Sequence, residues 1–113
     1  MRLAQLIEGF ECRPLGELDP DIADITDDSR QVHAGTLYVA RRGHVADGRA
    51  FIPQAIASGA VAVLTDDATL ARDHPKVAFV LTTDVQRTSG RVAERFFGNP
   101  SQALTLVAVT GTN

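Results

Sequence analysis

The sequence predicts an α/β fold, and three observations carry that expectation. Apolar strands and amphipathic helices alternate along the chain, the pattern of a sheet covered by helices. Residues 60–64 and 77–81 are uninterrupted apolar runs, as expected of strands inside a covered sheet, and 104–109 is a further apolar strand. Strand ends run into loops of small and polar residues, Asp28-Ser29-Arg30 and 43–49, and the loop edge of an α/β sheet is where small ligands bind.

Taken in order, Leu3, Leu6, Ile7 and Phe10 fall at i, i+3, i+4 and i+7 and predict a short amphipathic helix over 3–10. Residues 11–24 contain Pro14, Gly16 and Pro20 and read as loop. Ile25 and Thr26 start a short strand that leads into Asp28-Ser29-Arg30. His33-Ala34-Gly35 is turn chemistry, and a buried strand follows over 36–40. A helix is predicted over 51–58, with Asp47 or Gly48 ahead of it, Pro53 in its first turn and Gly59 past its end. Phe51, Ile52, Ala55 and Ile56 give that helix one apolar face. The strand 60–64 comes next, then a polar stretch over 65–76 with a turn of helix around Leu70, then the strand 77–81. Asp84 is placed to cap a helix that runs to Phe97 and carries Val85, Val92, Ala93 and Phe96 on one side. Gly90 weakens it by about 1 kcal/mol relative to alanine, and Gly98 is its stop signal. Residues 99–101 form a loop, and a last strand over 104–109 runs into Thr110-Gly111-Thr112-Asn113.

The bulk properties exclude several function classes. A chain of 113 residues, 44% hydrophobic and 22% charged, supports one modest core. A net charge of −3 with acids and bases interspersed argues against a nucleic-acid surface. The single cysteine, Cys12, has no internal partner, and no Cys/His cluster has zinc spacing, so Cys12 reads as a reduced, partly buried thiol. The apolar run at the N-terminus is too short and too interrupted for a signal peptide or a membrane span. A cytoplasmic protein is the expectation.

Each chemical feature has a plain reading beside a functional one. A strand that ends in Thr-Gly-Thr-Asn can be a turn, or the opening of a phosphate-binding loop G-x-x-x-x-G-K-[ST]. The closing Gly, Lys and Ser/Thr are not in this sequence. Ser29 is either a loop hydroxyl bonded to backbone or a hydrogen-bonding partner for a base or ribose. His44 is either solvated or in contact with an anionic or aromatic ligand. Arg41, Arg42 and Arg49 flank the second loop and either lie in solvent or attract a diphosphate. Asp27, Asp28 and Asp47 make no obvious acid/base pair, and there is no G-x-S-x-G elbow. No catalytic residue and no metal site are expected in this stretch.

Together, DSRQVHAGTLYVARRGHVADGRAFIPQAIASGAVAVL and LTLVAVTGTN resemble the start of the Mur ligases. The family pattern is roughly D-S-R-x-V-x-x-G-x-L-F-V-A-x-x-G, then D-G-x-x-F-I-x-x-A-x-x-x-G-A-x-A-V, and much later V-T-G-T-N-G-K-T. The likeness covers about residues 25–113, and residues 1–24 carry little of it. It implies a small mixed-sheet N-terminal domain over 1–83, which holds the UDP end of UDP-N-acetylmuramoyl-L-alanyl-D-glutamate. Residues 84–113 would be the first helix and strand of a P-loop central domain, cut before its Gly-Lys-Thr. That central domain would bind ATP and Mg2+, and a third domain would help bind the incoming amino acid.

The reaction implied is ATP-driven peptide ligation in peptidoglycan synthesis: the substrate carboxylate becomes an acyl phosphate, and an amine attacks it. The branch most resembled adds the third residue, meso-diaminopimelate or L-lysine. The rival readings are the branch that adds D-alanyl-D-alanine and a non-enzymatic nucleotide-binding or interaction module. Position by position, the resemblance implies that Ser29 and Asp27 contact the uridine. It implies that His44, Val45 and Ala46 line the diphosphate loop, Val45 through its backbone alone, and that Gly111, Thr112 and Asn113 open the ATP loop. The 113-residue chain is expected to bind no cofactor, to be inactive alone, and to be a monomer whose exposed last strand offers a route to self-association.

Overall fold

The computed structural model describes residues 1–41, 47–67 and 69–98. Its strands are β1 (Arg13–Leu15), β2 (Asp24–Thr26), β3 (Thr36–Val39), β4 (Ala62–Thr65) and β5 (Ala78–Leu81), and its helices are α1 (Leu3–Ile7), α2 (Ile52–Ala57) and α3 (Val85–Gly98). They form one mixed sheet in the order β1-β5-β4-β3-β2. β2, β3, β4 and β5 are parallel, and β1 alone runs antiparallel, against β5.

The apolar runs are buried on both faces because alternate residues face two separate cores. Leu37, Val39, Ala62, Leu64, Ala78 and Val80 face one side, where Leu3, Leu6 and Ile7 of α1 and Val85, Val92 and Phe96 of α3 cover them. Tyr38, Val63 and Phe79 face the other, under Ile52 and Ala55 of α2. Leu37, Tyr38, Val63, Leu64, Phe79 and Val80 are all at most 1% exposed. Full burial of such a side chain contributes roughly 1.5–3 kcal/mol, so the two cores rather than helix propensity hold the short elements in place.

The helices end where the sequence gives them reasons to. The spacing predicts α1 as far as Phe10, yet it closes at Ile7, because Gly9 takes a positive φ of 82°. Arg95 of α3 then caps it, donating to the carbonyls of Gln5 (3.1 Å), Leu6 (3.4 Å) and Glu8 (2.6 Å), while its guanidinium lies 4.1 Å from the centre of the Phe10 ring. α2 is preceded by a 3-10 turn over Gly48–Phe51 and followed by Gly59 at φ 120°. A Cβ on Gly59 would sit 2.7 Å from the Ala34 nitrogen, so only glycine fits. In α3, the Asp84 carboxylate accepts from the Arg87 amide at 3.1 Å, the N-cap the sequence predicts.

One expectation meets a different arrangement, and one helix packs in a way that bears on the proposed domain division. Residues 11–24 read as loop, yet Arg13–Leu15 forms β1. Pro14 is tolerated there because β1 is an edge strand, where a missing N–H costs no ladder bond on the open side. α3, expected to open the following domain, packs its Val85, Val92 and Phe96 into the same core as α1 and the sheet. The predicted strand over 104–109 lies outside the described residues. Cys12 is half-buried against the α1 side, and burial pushes its thiol above the usual range. Among the described residues no helix is long and apolar enough to cross a membrane.

Removing the α3 cap tests this account of its N-terminus. Asp84→Ala should lower stability to denaturant by about 1 kcal/mol without changing the far-ultraviolet dichroism of the native state.

Candidate functional site

Parallel pairing sets the carboxyl ends of β2, β3, β4 and β5 on one edge of the sheet. A cleft of about 510 Å3 opens there, lined by Asp27, Asp28, Ser29, Arg30, Tyr38, Arg41, Gly48, Phe51 and Gln54. Its size is that of a small-molecule site.

The same local device builds two of its walls. Past β2, Asp28 caps a 3-10 turn over Ser29–Gln31 by accepting from the Arg30 amide at 2.9 Å. The Arg30 guanidinium folds back on the same carboxylate, Nε to Oδ1 and Nη2 to Oδ2, both at 3.1 Å. Past β3, Asp47 caps the turn Gly48–Phe51 through the Arg49 amide at 3.0 Å, and Arg49 forks onto the Asp47 carboxylate at 2.6–3.0 Å. Each Asp-x-Arg unit closes on itself and turns its middle residue, Ser29 or Gly48, to the cleft. The Arg30 cation beside Asp28 holds that carboxyl below its usual 3.8. Arg49 reaches further, to Asp66 (3.6 Å) and Asp67 (3.5 Å) past β4, and so ties the second loop to the third.

The floor is Tyr38. Its ring is buried in the α2-side core, and its hydroxyl donates to the Gly48 carbonyl at 2.9 Å. Burial, reinforced by the charges of Asp27, Asp28 and Asp47, pushes the phenol up to about 12. Gly48 is fixed from its other side too: its amide donates to the Arg41 carbonyl at 2.7 Å, and a Cβ would stand 2.6 Å from that oxygen. The backbone at Arg41 and at Gly48 is therefore in direct contact at the cleft.

Ser29 lies against this floor, 9% exposed, and its hydroxyl makes no hydrogen bond among the described residues. The hydroxyl is open to the cleft and is therefore available to a ligand. Phe51, 38% exposed, offers an apolar ring on the α2 side, and Gln54 offers an amide one turn further on. Arg41 touches Asp27 at 3.4 Å, both side chains about half-exposed.

The structure thus brings Asp27 and Ser29 together in one cleft, with Arg41 beside them. His44, Val45 and Ala46, and Gly111, Thr112 and Asn113, lie outside the described residues. Tyr38, Phe51 and Gln54 are lining residues that sequence reasoning assigned to strand or helix alone. Phe51 carried one signal: it sits beside the Asp47-Gly48-Arg49 turn, where a helix face adjoins a ligand loop. Among the described residues no group of His, Cys, Asp or Glu is arranged to hold a metal ion.

A mixed, mostly parallel sheet with a polar cleft across its carboxyl edge defines an α/β domain with a candidate site at that edge. The chain belongs to the Mur ligase family: the profile described as "Mur ligase family, catalytic domain" matches residues 21–94. It is 36% identical over its whole length to UDP-N-acetylmuramoyl-L-alanyl-D-glutamate--2,6-diaminopimelate ligase of Caldanaerobacter subterraneus subsp. tengcongensis, and 40% identical to the ligase of that name from Parabacteroides distasonis. Against the Haemophilus influenzae ligase of that name the identity is 42%, over 84% of the chain. The chain spans 23% of the length of the first two relatives and 20% of the third. The fold is also that of the UDP-N-acetylmuramoylalanyl-D-glutamyl-2,6-diaminopimelate--D-alanyl-D-alanyl ligase from Acinetobacter baumannii, with a TM-score of 0.62 at 20% identity, over 77% of this chain and 19% of that one.

Tyr38 is the only tyrosine, and the chain has no tryptophan, so ultraviolet absorbance follows one phenol. Its titration midpoint should lie well above 10, near 12. A midpoint at 10 would mean that the hydroxyl is solvated and does not hold Gly48.

Proposed function

We propose that this chain is the substrate-binding front of an ATP-dependent ligase that joins 2,6-diaminopimelate to UDP-N-acetylmuramoyl-L-alanyl-D-glutamate in peptidoglycan synthesis. In this reading the cleft between β2, β3 and α2 holds the uridine end. The observation that carries it is Ser29: a residue nearly buried in the wall of a cleft large enough for a nucleoside, whose hydroxyl is open to the cleft and has no protein partner among the described residues. Asp27 stands beside it as an acceptor for a ribose O–H or a base N–H. Phe51 supplies a flat apolar surface for a base, as aromatic rings in nucleotide sites do. His44, Val45 and Ala46, which lie in sequence between Arg41 and Gly48, are the proposed diphosphate side.

The relatives support diaminopimelate over L-lysine, because relatives at 34–42% identity share the diaminopimelate ligase name. The branch that adds D-alanyl-D-alanine is supported only by a likeness of fold at 20% identity. The core shared by α3 and the sheet moves the proposed domain division from near Thr83 to the residues after Gly98. Gly111, Thr112 and Asn113 open the proposed ATP loop. Without the Gly, Lys and Ser/Thr that complete such a loop, the residues present do not make an ATP and Mg2+ site, and both are assigned to the rest of the protein. The chain alone, a proposed cytoplasmic monomer, then turns over no ATP.

Ser29→Ala in the full-length ligase tests the reading. A hydrogen bond from a neutral hydroxyl contributes about 0.5–1.5 kcal/mol, so the KM for the UDP substrate should rise several-fold while the KM for ATP and kcat hold. An unchanged KM for the UDP substrate, with the fold intact by circular dichroism, would show that Ser29 is a loop hydroxyl and nothing more.

A further inference from the structure

Three described arginines stand at the carboxyl edge, and their partners separate them. Arg30 is forked onto Asp28 through two nitrogens. Arg49 is forked onto Asp47 and also meets Asp66 and Asp67. Each of these guanidiniums already holds a carboxylate through two nitrogens, and an anion would have to compete with that carboxylate to recruit it. Among the described residues the Arg41 guanidinium has one ion-pair contact, to Asp27 at 3.4 Å, longer than the roughly 2.7–2.9 Å of a charge-assisted hydrogen bond. Both members of that pair are about half-exposed, and exposed pairs of this kind contribute little to stability. Arg41 is the cation this edge can release most cheaply.

Its position fits that use. Arg41 lines the main cleft, and it also lines an adjoining recess of about 160 Å3 with Asp66, Thr83, Asp84, Val85 and Gln86. The site therefore continues along the sheet edge from β2 and β3 past Arg41 toward β5 and α3. Carboxylates are frequent along this path: Asp27, Asp28, Asp66 and Asp84 all line one recess or the other. Asp28 and Asp66 are already met by Arg30 and Arg49, so of the described arginines at this edge Arg41 gives up least in turning to a diphosphate laid along this path.

The geometry points to Arg41 as the residue that takes the diphosphate of a nucleoside diphosphate seated in the cleft. The assignment rests on the uridine reading above. In the free protein the Asp27–Arg41 pair neutralises the mouth of the site. When the ligand enters, the guanidinium leaves Asp27 for the phosphate oxygens, and the Asp27 carboxylate is released to accept from the nucleoside. One ion pair thus becomes two contacts to ligand.

The test is an amide-shift titration of the labelled chain with uridine and with UDP, in wild type, Arg41→Gln and Arg41→Lys. Wild type should bind UDP about tenfold more tightly than uridine, the scale of one exposed charge-assisted contact. Arg41→Gln should cut that ratio several-fold and leave the uridine affinity in place, and Arg41→Lys should restore part of it. A ratio unchanged in Arg41→Gln overturns the assignment while leaving the uridine reading intact. An equal loss of uridine and UDP affinity in Arg41→Gln also overturns it, because Arg41 would then only shape the cleft. If neither ligand shifts any amide of Asp27–Arg30 in wild type, the uridine reading and the assignment fall together.

Discussion

Parallel pairing of β2, β3, β4 and β5 is the constraint on which the rest depends. Parallel strands can be joined only by connections that cross back over the sheet, so every strand ends at the same edge. In this chain that places Asp27, Asp28 and Ser29, then Arg41, then Asp66 and Asp67, then Thr83 and Asp84 along one line. The strands hold this arrangement with four residues or fewer each because both faces are covered. A cleft at such an edge is a consequence of topology before any residue in it is chosen.

The Asp-x-Arg turns make that edge rigid at low cost. Each carboxylate satisfies a backbone amide that a short helix leaves open, and each arginine neutralises the carboxylate that caps its own turn. The units are self-contained, so they can flank a site without lending their charge to it. The middle residue is then free to vary in chemistry. Serine in the first turn supplies a hydroxyl, and glycine in the second lets the chain pass against Arg41. Tyr38 links the two levels of the structure: its ring belongs to the core under α2, and its hydroxyl fixes the carbonyl of the second turn.

Much of this was legible in the sequence. Uninterrupted apolar runs announced β4 and β5, and the Asp84 cap and Gly59 fixed helix ends that the structure shares. β1 was not legible, because Pro14 and Gly16 are loop signals and an edge strand of three residues has no period to read. The shared core of α3 was hidden for another reason: an apolar helix face says that something covers it, not which domain does. In the site, Asp27 and Ser29 were found through the strand end and the family pattern. Tyr38 was not, because in a strand buried on both faces a tyrosine reads as core, and only its hydroxyl reaches the cleft. The pairing of arginines was beyond sequence altogether, since Arg41 and Arg49 differ only in the carboxylates that the fold brings to them.

The central claim is that the carboxyl-edge cleft is where the nucleotide sits, and a crystal structure of the chain grown with UDP tests it most directly. The account predicts a uracil or ribose oxygen or nitrogen within hydrogen-bond distance of the Ser29 hydroxyl, against the Phe51 ring. UDP bound elsewhere, for example in the polar recess that Arg87 and Arg91 of α3 line with Thr82, with the Ser29 hydroxyl facing solvent, would contradict it.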